Sequence, residues 1–487
     1  MKKSRVINLA LLLVVLLSSA AVGQQQSPIK WEPYELRLTD GSTEAAEVGR
    51  LVVPERRSVK DNRQVTLGLV RLPAKSGAPN RSIIYLGGSP GGIASSDALR
   101  IAPLFPFFET LREAGDVIVM DYRGSGLSTP KLTCPPAAVF SVDAFASREK
   151  AVQFFLTQAV ECARRLRAEG VSLDGYTWLE VAHDVEDLRN ALGTDNVDLV
   201  GFSAGTHAAL AAIRAHEAGI RRVVLIGTEG PDNTRKLPSM ADQQLAQIGV
   251  LVRADQGLSA DIPNFLDLVH TTLNQLELKP VEIEVKLPGS GALVRGPVGR
   301  FAISFVVAKS LSGPDEFDLL PRLFYTLSRG DLSVLTRVMQ RFVDRPPPNP
   351  LTYIMDGASG VSEERWKRIE VEAQSSMIGN AVNFPFPEIR EAWQYADLGP
   401  AFRTPVRSSI PVLFVTGELD GNTPPSQAEE VRAGFPNSFH LVITNGGHTS
   451  AFSSEEAAET LVEFLKGRDI SKVRLEMPRP RFSPLRR

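Results

Sequence analysis

Cysteine, histidine and net charge are all scarce in this chain, and each scarcity removes a class of function. Two cysteines and six histidines in 487 residues leave no cluster of soft ligands with the spacing of a metal site, so neither a metal nor a cofactor is expected. The formal net charge is only −2, from 54 basic and 56 acidic residues. With no basic domain and no nucleic-acid motif, nucleic acid is excluded as a partner. The mixed charges read as a solvated surface. Beyond the N-terminus no run is long and apolar enough to span a bilayer. There is no internal repeat, and nothing in the sequence fixes the oligomeric state.

The N-terminus is the exception. Lys2, Lys3 and Arg5 precede an apolar run over 7–17 and small residues over 18–23. This is the pattern of a signal peptide covering 1–23, with Ala21-x-Gly23 before Gln24 as the cleavage site. The competing reading is an uncleaved anchor. No cysteine follows the run for lipid attachment. The mature chain is expected to be soluble and exported, to a periplasm or beyond the cell.

The length exceeds one typical core, which predicts one domain carrying a large insertion. Residues 24–75 read as β-hairpins at 34–38, 49–54 and 65–72. Residues 76–230 alternate strand and helix, the rhythm of a mostly parallel sheet with helices on both faces and sites at strand C-terminal ends. From 231 to 400 that rhythm is lost. The stretch is mainly helical, is broken at Pro346-Pro347-Pro348-Asn349-Pro350, and predicts a cap over the strand ends. Residues 401–470 return to the core and close it with a helix at 455–465. The basic, proline-rich residues 471–487 predict a loose tail.

The chemistry is concentrated in Gly201-Phe202-Ser203-Ala204-Gly205. An apolar strand, Val197-Asp198-Leu199-Val200, runs into it and a helical pattern follows from Thr206. A serine on a sharp strand-to-helix turn is pushed out of the sheet edge, with free helix N–H groups aimed at developing negative charge. Such a serine needs a base. His183, His207, His216 and His270 lie in helical patterns and His440 opens a strand. His448, in Asn445-Gly446-Gly447-His448, sits on a glycine-flanked loop after that strand and can reach across. The base needs an acid. Asp420 lies just past the buried strand at 410–416, further out on its loop than its rival Glu418. The order serine, aspartate, histidine is that of the α/β-hydrolase arrangement.

With these residues in place, the chain resembles α/β hydrolases of the proline iminopeptidase and tripeptidyl aminopeptidase group. Gly87-Gly88-Ser89-Pro90-Gly91-Gly92 is similar to the family's Gly-Gly-Pro-Gly-Gly loop, and Asp121-Tyr122-Arg123-Gly124-Ser125-Gly126-Leu127-Ser128 to its Asp-x-Arg-Gly-x-Gly-x-Ser. Gly175-Tyr176-Thr177, Leu419-Asp420 with Thr423-Pro424-Pro425, and Gly446-Gly447-His448 complete the match on both sides of a dissimilar middle. The resemblance implies an oxyanion hole built from the backbone N–H groups of Ala204 and of Gly88 or Ser89. The extra residue Ser89 leaves the choice between the last two open. Ala204 stands where many peptidase relatives carry an aromatic residue. Asp121 and Arg123 read as a structural pair fixing loops near the site.

The resemblance also implies an aminopeptidase releasing N-terminal proline, small residues or tripeptides. It would need a carboxylate for the substrate ammonium, because an unpaired buried charge is costly. Glu229, Glu388 and Glu391 are the candidates. Phe384-Pro385-Phe386-Pro387 is either a pocket lining or core packing. Cys134 and Cys162 suggest a disulfide in an exported chain, against two buried free thiols. A carboxylic-ester hydrolase on the same scaffold, slightly favoured by Ala204, and an inactive binding protein that kept the fold are the alternatives.

Overall fold

The computed structural model describes residues 29–60, 63–89, 102–134, 142–344 and 349–485. The expected signal peptide, Pro90-Gly91-Gly92 of the glycine loop and Pro346-Pro347-Pro348 lie outside the described residues.

Ten strands form the main sheet. They are β1 (Glu32–Arg37), β2 (Thr43–Pro54), β3 (Gln64–Leu72), β4 (Ser82–Leu86), β5 (Asp116–Met120), β6 (Val197–Phe202), β7 (Ile220–Ile226), β10 (Val412–Gly417), β11 (Ser438–Thr444) and β12 (Leu475–Glu476). Their order is β1-β2-β3-β5-β4-β6-β7-β10-β11-β12. β1, β2, β3 and β5 pair antiparallel, and every pairing from β5 to β12 is parallel. The parallel strands read as short buried apolar runs because helices cover both faces.

Alternation along each strand divides the core in two. Ile84 and Leu86 of β4 face the side packed by helices Trp178–Ala191 and Ala204–His216. Ile83 and Tyr85 face the side packed by Phe105–Leu111 and Glu455–Lys466. Cys134 and Cys162 form a disulfide with Cα atoms 5.0 Å apart, tying the segment after β5 to helix Arg148–Ala168.

A long insertion separates β7 from β10. It is mainly helical, but it also holds an antiparallel hairpin, β8 (Val281–Lys286) with β9 (Leu293–Val298). Val-Glu-Ile-Glu-Val-Lys has a period of two that buries Ile283 and Val285, a strand signal embedded in helical surroundings. Residues 241–343 pack around a core of their own that also takes in Ile378, whereas Leu351 to Ala358 and Phe386 to Ile410 contribute to the core of the sheet.

The C-terminal tail is not loose. β12 extends the sheet beside β11, Ser483 bonds to Asp318, and Leu485 is buried against the insertion's core. Apolar residues spaced between the arginines supply anchors that composition alone conceals.

Candidate active site

β6 ends at Phe202 and helix Ala204–His216 begins at once, leaving Ser203 at φ +53° and ψ −123°. A non-glycine residue in that region costs about 1–3 kcal/mol and is held only by firm surroundings. The surroundings are visible. Ser203 N donates to Ile226 O of β7 at 2.8 Å, and Thr206 N and Oγ1 donate to Ser203 O at 2.8 and 2.6 Å. A Cβ on Gly201 would lie 2.8 Å from Gly205 O, and one on Gly205 only 2.0 Å from Leu86 O. Only glycine fits on either side of this serine.

Asp420 and His448 stand on the loops after β10 and β11. His448 Nδ1 and Asp420 Oδ2 are 2.7 Å apart. Asp420 Oδ1 accepts the N–H groups of Asn422 (2.8 Å) and Thr423 (3.0 Å), and Thr423 Oγ1 donates to Oδ2 at 2.6 Å while lying 3.0 Å from His448 Nδ1. Burial pushes the Asp420 carboxyl up. The His448 charge and the hydrogen bonds from His448 and Thr423 outweigh it and hold Asp420 below its ordinary value. Glu418 is spent elsewhere, accepting Asn445 N at 2.9 Å.

The His448 ring leans over Phe202, centroid to centroid 4.9 Å, which sets it beside the residue preceding Ser203. Among the described residues no hydrogen bond joins Ser203 Oγ to His448, and His448 Nε2 lies 3.5 Å from Asn422 Nδ2. Gly88 borders Ser203, since a Cβ placed on it would be 3.6 Å from Ser203 Cβ. Ser89 is exposed. Ala204 opens the helix, so its N–H has no intrahelical acceptor.

The insertion is stitched to these loops by its backbone. Gly421 N donates to Leu311 O and His448 N to Ser312 O, at 2.8 and 2.7 Å. Gln244 Nε2 donates to Leu419 O at 2.8 Å.

The expected ammonium partners are scattered. Glu229 follows β7 and meets Lys236 Nζ at 3.3 Å. The Lys236 ammonium makes no hydrogen bond among the described residues, so the two meet as charges rather than as an aligned donor and acceptor. Glu388 pairs with Arg148, and Glu391 is exposed on the short helix Arg390–Trp393. Sequence reasoning missed Glu316. It lies with Asp315 and His448 along a cleft of about 390 Å³, and makes no salt bridge among the described residues. Glu316 is exposed on the cleft, and partial desolvation by its surroundings, then the Asp315 charge, raises its carboxyl above the ordinary value. Phe384 packs on Phe155, Phe301 and Phe305, and Phe386 lies under the Arg235 guanidinium, so this stretch is core.

Asp121 and Arg123 do not pair with each other. Arg123 is buried and forks onto Asp184 at 2.5 and 2.8 Å. Asp121 accepts Leu127 N at 2.6 Å. A planar guanidinium matches a carboxylate edge-on, and Asp184 offers that edge where Asp121 is already committed to its own turn. Both still fix loops beside the glycine loop.

A family profile described as "alpha/beta hydrolase fold" matches residues 82–267, and one described as "TAP-like protein" matches 388–469. Serine protease Hip1 of Mycobacterium tuberculosis is 25% identical over 221 residues, 42% of this chain and 40% of that protein. Putative hydrolase YuaR of Escherichia coli is 29% identical over 177 residues, 35% of this chain and 32% of that protein. The matched stretches thus span less than half the length of either relative. A thermophilic esterase from Thermogutta terrifontis superposes with a TM-score of 0.36 at 15% identity, covering 90% of this chain and 98% of that one. The two profiles each extend into one end of the insertion and cover the stretches that carry Ser203 and the Asp420–His448 pair. This chain belongs to the α/β-hydrolase superfamily.

Proposed function

We propose that this hydrolase is an exported serine aminopeptidase that works through an acyl-enzyme on Ser203. The observation that carries the reading is the Asp420–His448 pair at 2.7 Å, one strand-end loop away from a strained serine. His448 takes the Ser203 proton as Oγ attacks the substrate carbonyl, and Asp420 orients the ring and offsets its positive charge. N–H groups of Ala204 and of the glycine loop hold the oxyanion. His448 then protonates the leaving amine, and water, activated by the same ring, releases the acyl group. The sequence similarity to a serine protease and the TAP-like segment favour peptides. The Cys134–Cys162 disulfide suits an oxidising compartment.

In this reading Glu316 joins Glu229, Glu388 and Glu391 as a partner for the substrate ammonium. Glu316 lies along the cleft beside His448 and makes no salt bridge among the described residues, although Arg479 and Arg481 line the same cleft, whereas Glu229 already meets Lys236.

A second reading, hydrolysis of carboxylic esters, draws support from the neutralised Glu229 and from the small Ala204. The deciding experiment is a paired assay on purified protein, with Ser203→Ala as control in both arms. One arm offers prolyl, alanyl and tripeptidyl amides with free and blocked N-termini, and the other short-chain aryl esters. Cleavage of free but not blocked amides, lost in Ser203→Ala, supports the aminopeptidase. Ester cleavage alone moves the function to the second reading. Activity surviving Ser203→Ala removes Ser203 as nucleophile. No activity and no labelling by a serine-reactive phosphonate returns the inactive binding protein.

A further inference from the structure

We infer that Tyr122 is a positioning residue for the oxyanion hole, a role that rests on the proposed hydrolase reading: its phenol holds the Gly87 carbonyl so that the Gly88 N–H is the one turned toward Ser203.

Tyr122 is buried and its hydroxyl donates to Gly87 O at 2.6 Å. The Gly87 carbonyl and the Gly88 N–H belong to one peptide plane, and in a trans peptide they point in opposite directions. Whatever fixes the carbonyl therefore aims the amide. The carbonyl is turned to the helix side, where a Cβ on Gly205 would lie 2.5 Å from its oxygen. Gly88 borders Ser203 Cβ. Its N–H has no backbone acceptor among the described residues, as an amide waiting for a substrate oxygen requires. Ser89 belongs to the next peptide plane, which Tyr122 does not hold.

The phenol is itself well anchored. The Trp178 ring meets it edge-on at 5.3 Å between centroids. The next residue, Arg123, is pinned by Asp184 and by the carbonyls of Glu55 and Gly175, both at 2.6 Å. Burial, then Tyr85 and Asp121, pushes the Tyr122 phenol well above its ordinary range, so it stays a donor at neutral pH. This gives the buried Arg123–Asp184 pair a purpose: it fixes the segment that aims one donor at the reacting oxygen.

The test compares two tyrosines. Tyr85 is also buried beside the glycine loop, but its hydroxyl has no hydrogen-bond partner among the described residues, so Tyr85→Phe removes a buried hydroxyl and no aim. Steady-state hydrolysis of a short-chain aryl ester and inhibition by an arylboronic acid, which forms a tetrahedral adduct, are measured on wild type, Tyr122→Phe and Tyr85→Phe. Loss of a whole oxyanion donor costs about 100- to 1000-fold in kcat, so a misaimed donor is expected to cost about tenfold. The expected result is that Tyr122→Phe lowers kcat about tenfold, leaves KM within about twofold, and weakens the boronate by the same factor as kcat. Tyr85→Phe should match wild type. A Tyr122→Phe protein with wild-type kcat and boronate affinity overturns the inference, and so does an equal loss in Tyr85→Phe. Should Tyr122→Phe fail to fold, 3-fluorotyrosine at position 122 keeps the shape and strengthens the donor. There kcat and boronate affinity must shift together at constant KM, and no shift in either overturns the inference. A wild type that is neither active nor labelled overturns the hydrolase reading as well. An active wild type indifferent to Tyr122→Phe overturns this one alone.

Discussion

Residues 238–344 and the later stretch from 350 to 410 follow one another in the same insertion, yet apart from Ile378 and its neighbours Met377 and Val382 they bury most of their apolar side chains in different places. The first has its own core, around Leu245, Val269, Phe324 and Leu335. The second sends Leu351, Met355, Ile389 and Trp393 into the core of the sheet, against helix Trp178–Ala191. Their contacts with the candidate site differ to match. The first body reaches the loops of Asp420 and His448 through Gln244, Leu311 and Ser312. The second reaches the helix behind Ser203, where Ser359 Oγ meets His207 Nε2 at 3.1 Å, and the segment after β7, where Asn383 bonds to the backbone of Lys236. A stretch continuous in sequence is therefore part scaffold and part accessory. The accessory part is the one that touches the chemistry.

The sharpest way to break this comparison is a pair of equal truncations. Leu351→Ala and Leu335→Ala each remove a fully buried side chain and should each cost about 2–5 kcal/mol. Leu351→Ala is expected to lower the melting of the sheet and the activity together. Leu335→Ala should speed amide exchange within 238–344 while the sheet strands keep their protection. Equal loss of protection in the sheet for Leu335→Ala would merge the two bodies into one.

Thr423→Val sets the scale for a loss made directly at the site. It deletes a hydroxyl bonded to both Asp420 and His448, and kcat should fall about tenfold with little change in melting temperature. Gln244→Leu asks how much the first body adds from outside. Losing its bond to Leu419 O is worth about 1 kcal/mol and should lower kcat less than Thr423→Val does. A larger loss would place the accessory body in control of the acid loop.

The smallest effects are pH slopes, and they carry opposite signs. Asp420 is held below its ordinary pKa, so its contribution to stability is complete above the unfolded value and is lost as pH falls through the folded one. Asp356, in the scaffold part, is raised by burial and then by the Glu229 charge, against Arg235 and Trp178. A raised carboxyl binds more protons folded than unfolded, so its contribution declines as pH rises from about 4, the unfolded value. Thermal denaturation of Asp420→Asn and Asp356→Asn across pH should show the difference from wild type shrinking toward acid for the first. For the second, Asn should gain on wild type toward neutral pH. Parallel slopes would mean that the two carboxyls share one environment.

Much of the site was legible because its signals are local. A period of two running into Gly-x-Ser-x-Gly and then into a helix marks the turn of Ser203 without any tertiary knowledge. The reading of Asp420 and His448 as acid and base rests on strand-end position and on elimination among few histidines. The rest is not local. Tyr122 acts through a carbonyl on a neighbouring strand's loop, and only the β4–β5 pairing brings the two together. Glu316 comes to His448 because the insertion folds back onto the base loop, which no spacing reveals. The β8–β9 hairpin was written in the alternation of residues 281–286 and was masked by the helical patterns around it. The tail reads as loose from its composition, whereas Leu475 and Leu485 are buried and help set its path.

One seam bears on how anything reaches His448. Where the insertion crosses the base loop, Gly313 and Gly447 lie main chain to main chain. A Cβ on Gly313 would fall 2.9 Å from Gly447 Cα, and one on Gly447 would fall 2.7 Å from Gly313 Cα. Two backbones in such contact leave no gap the width of a peptide. The seam is one wall of the cleft that Glu316 and His448 line, so substrate and product must pass along it rather than through it.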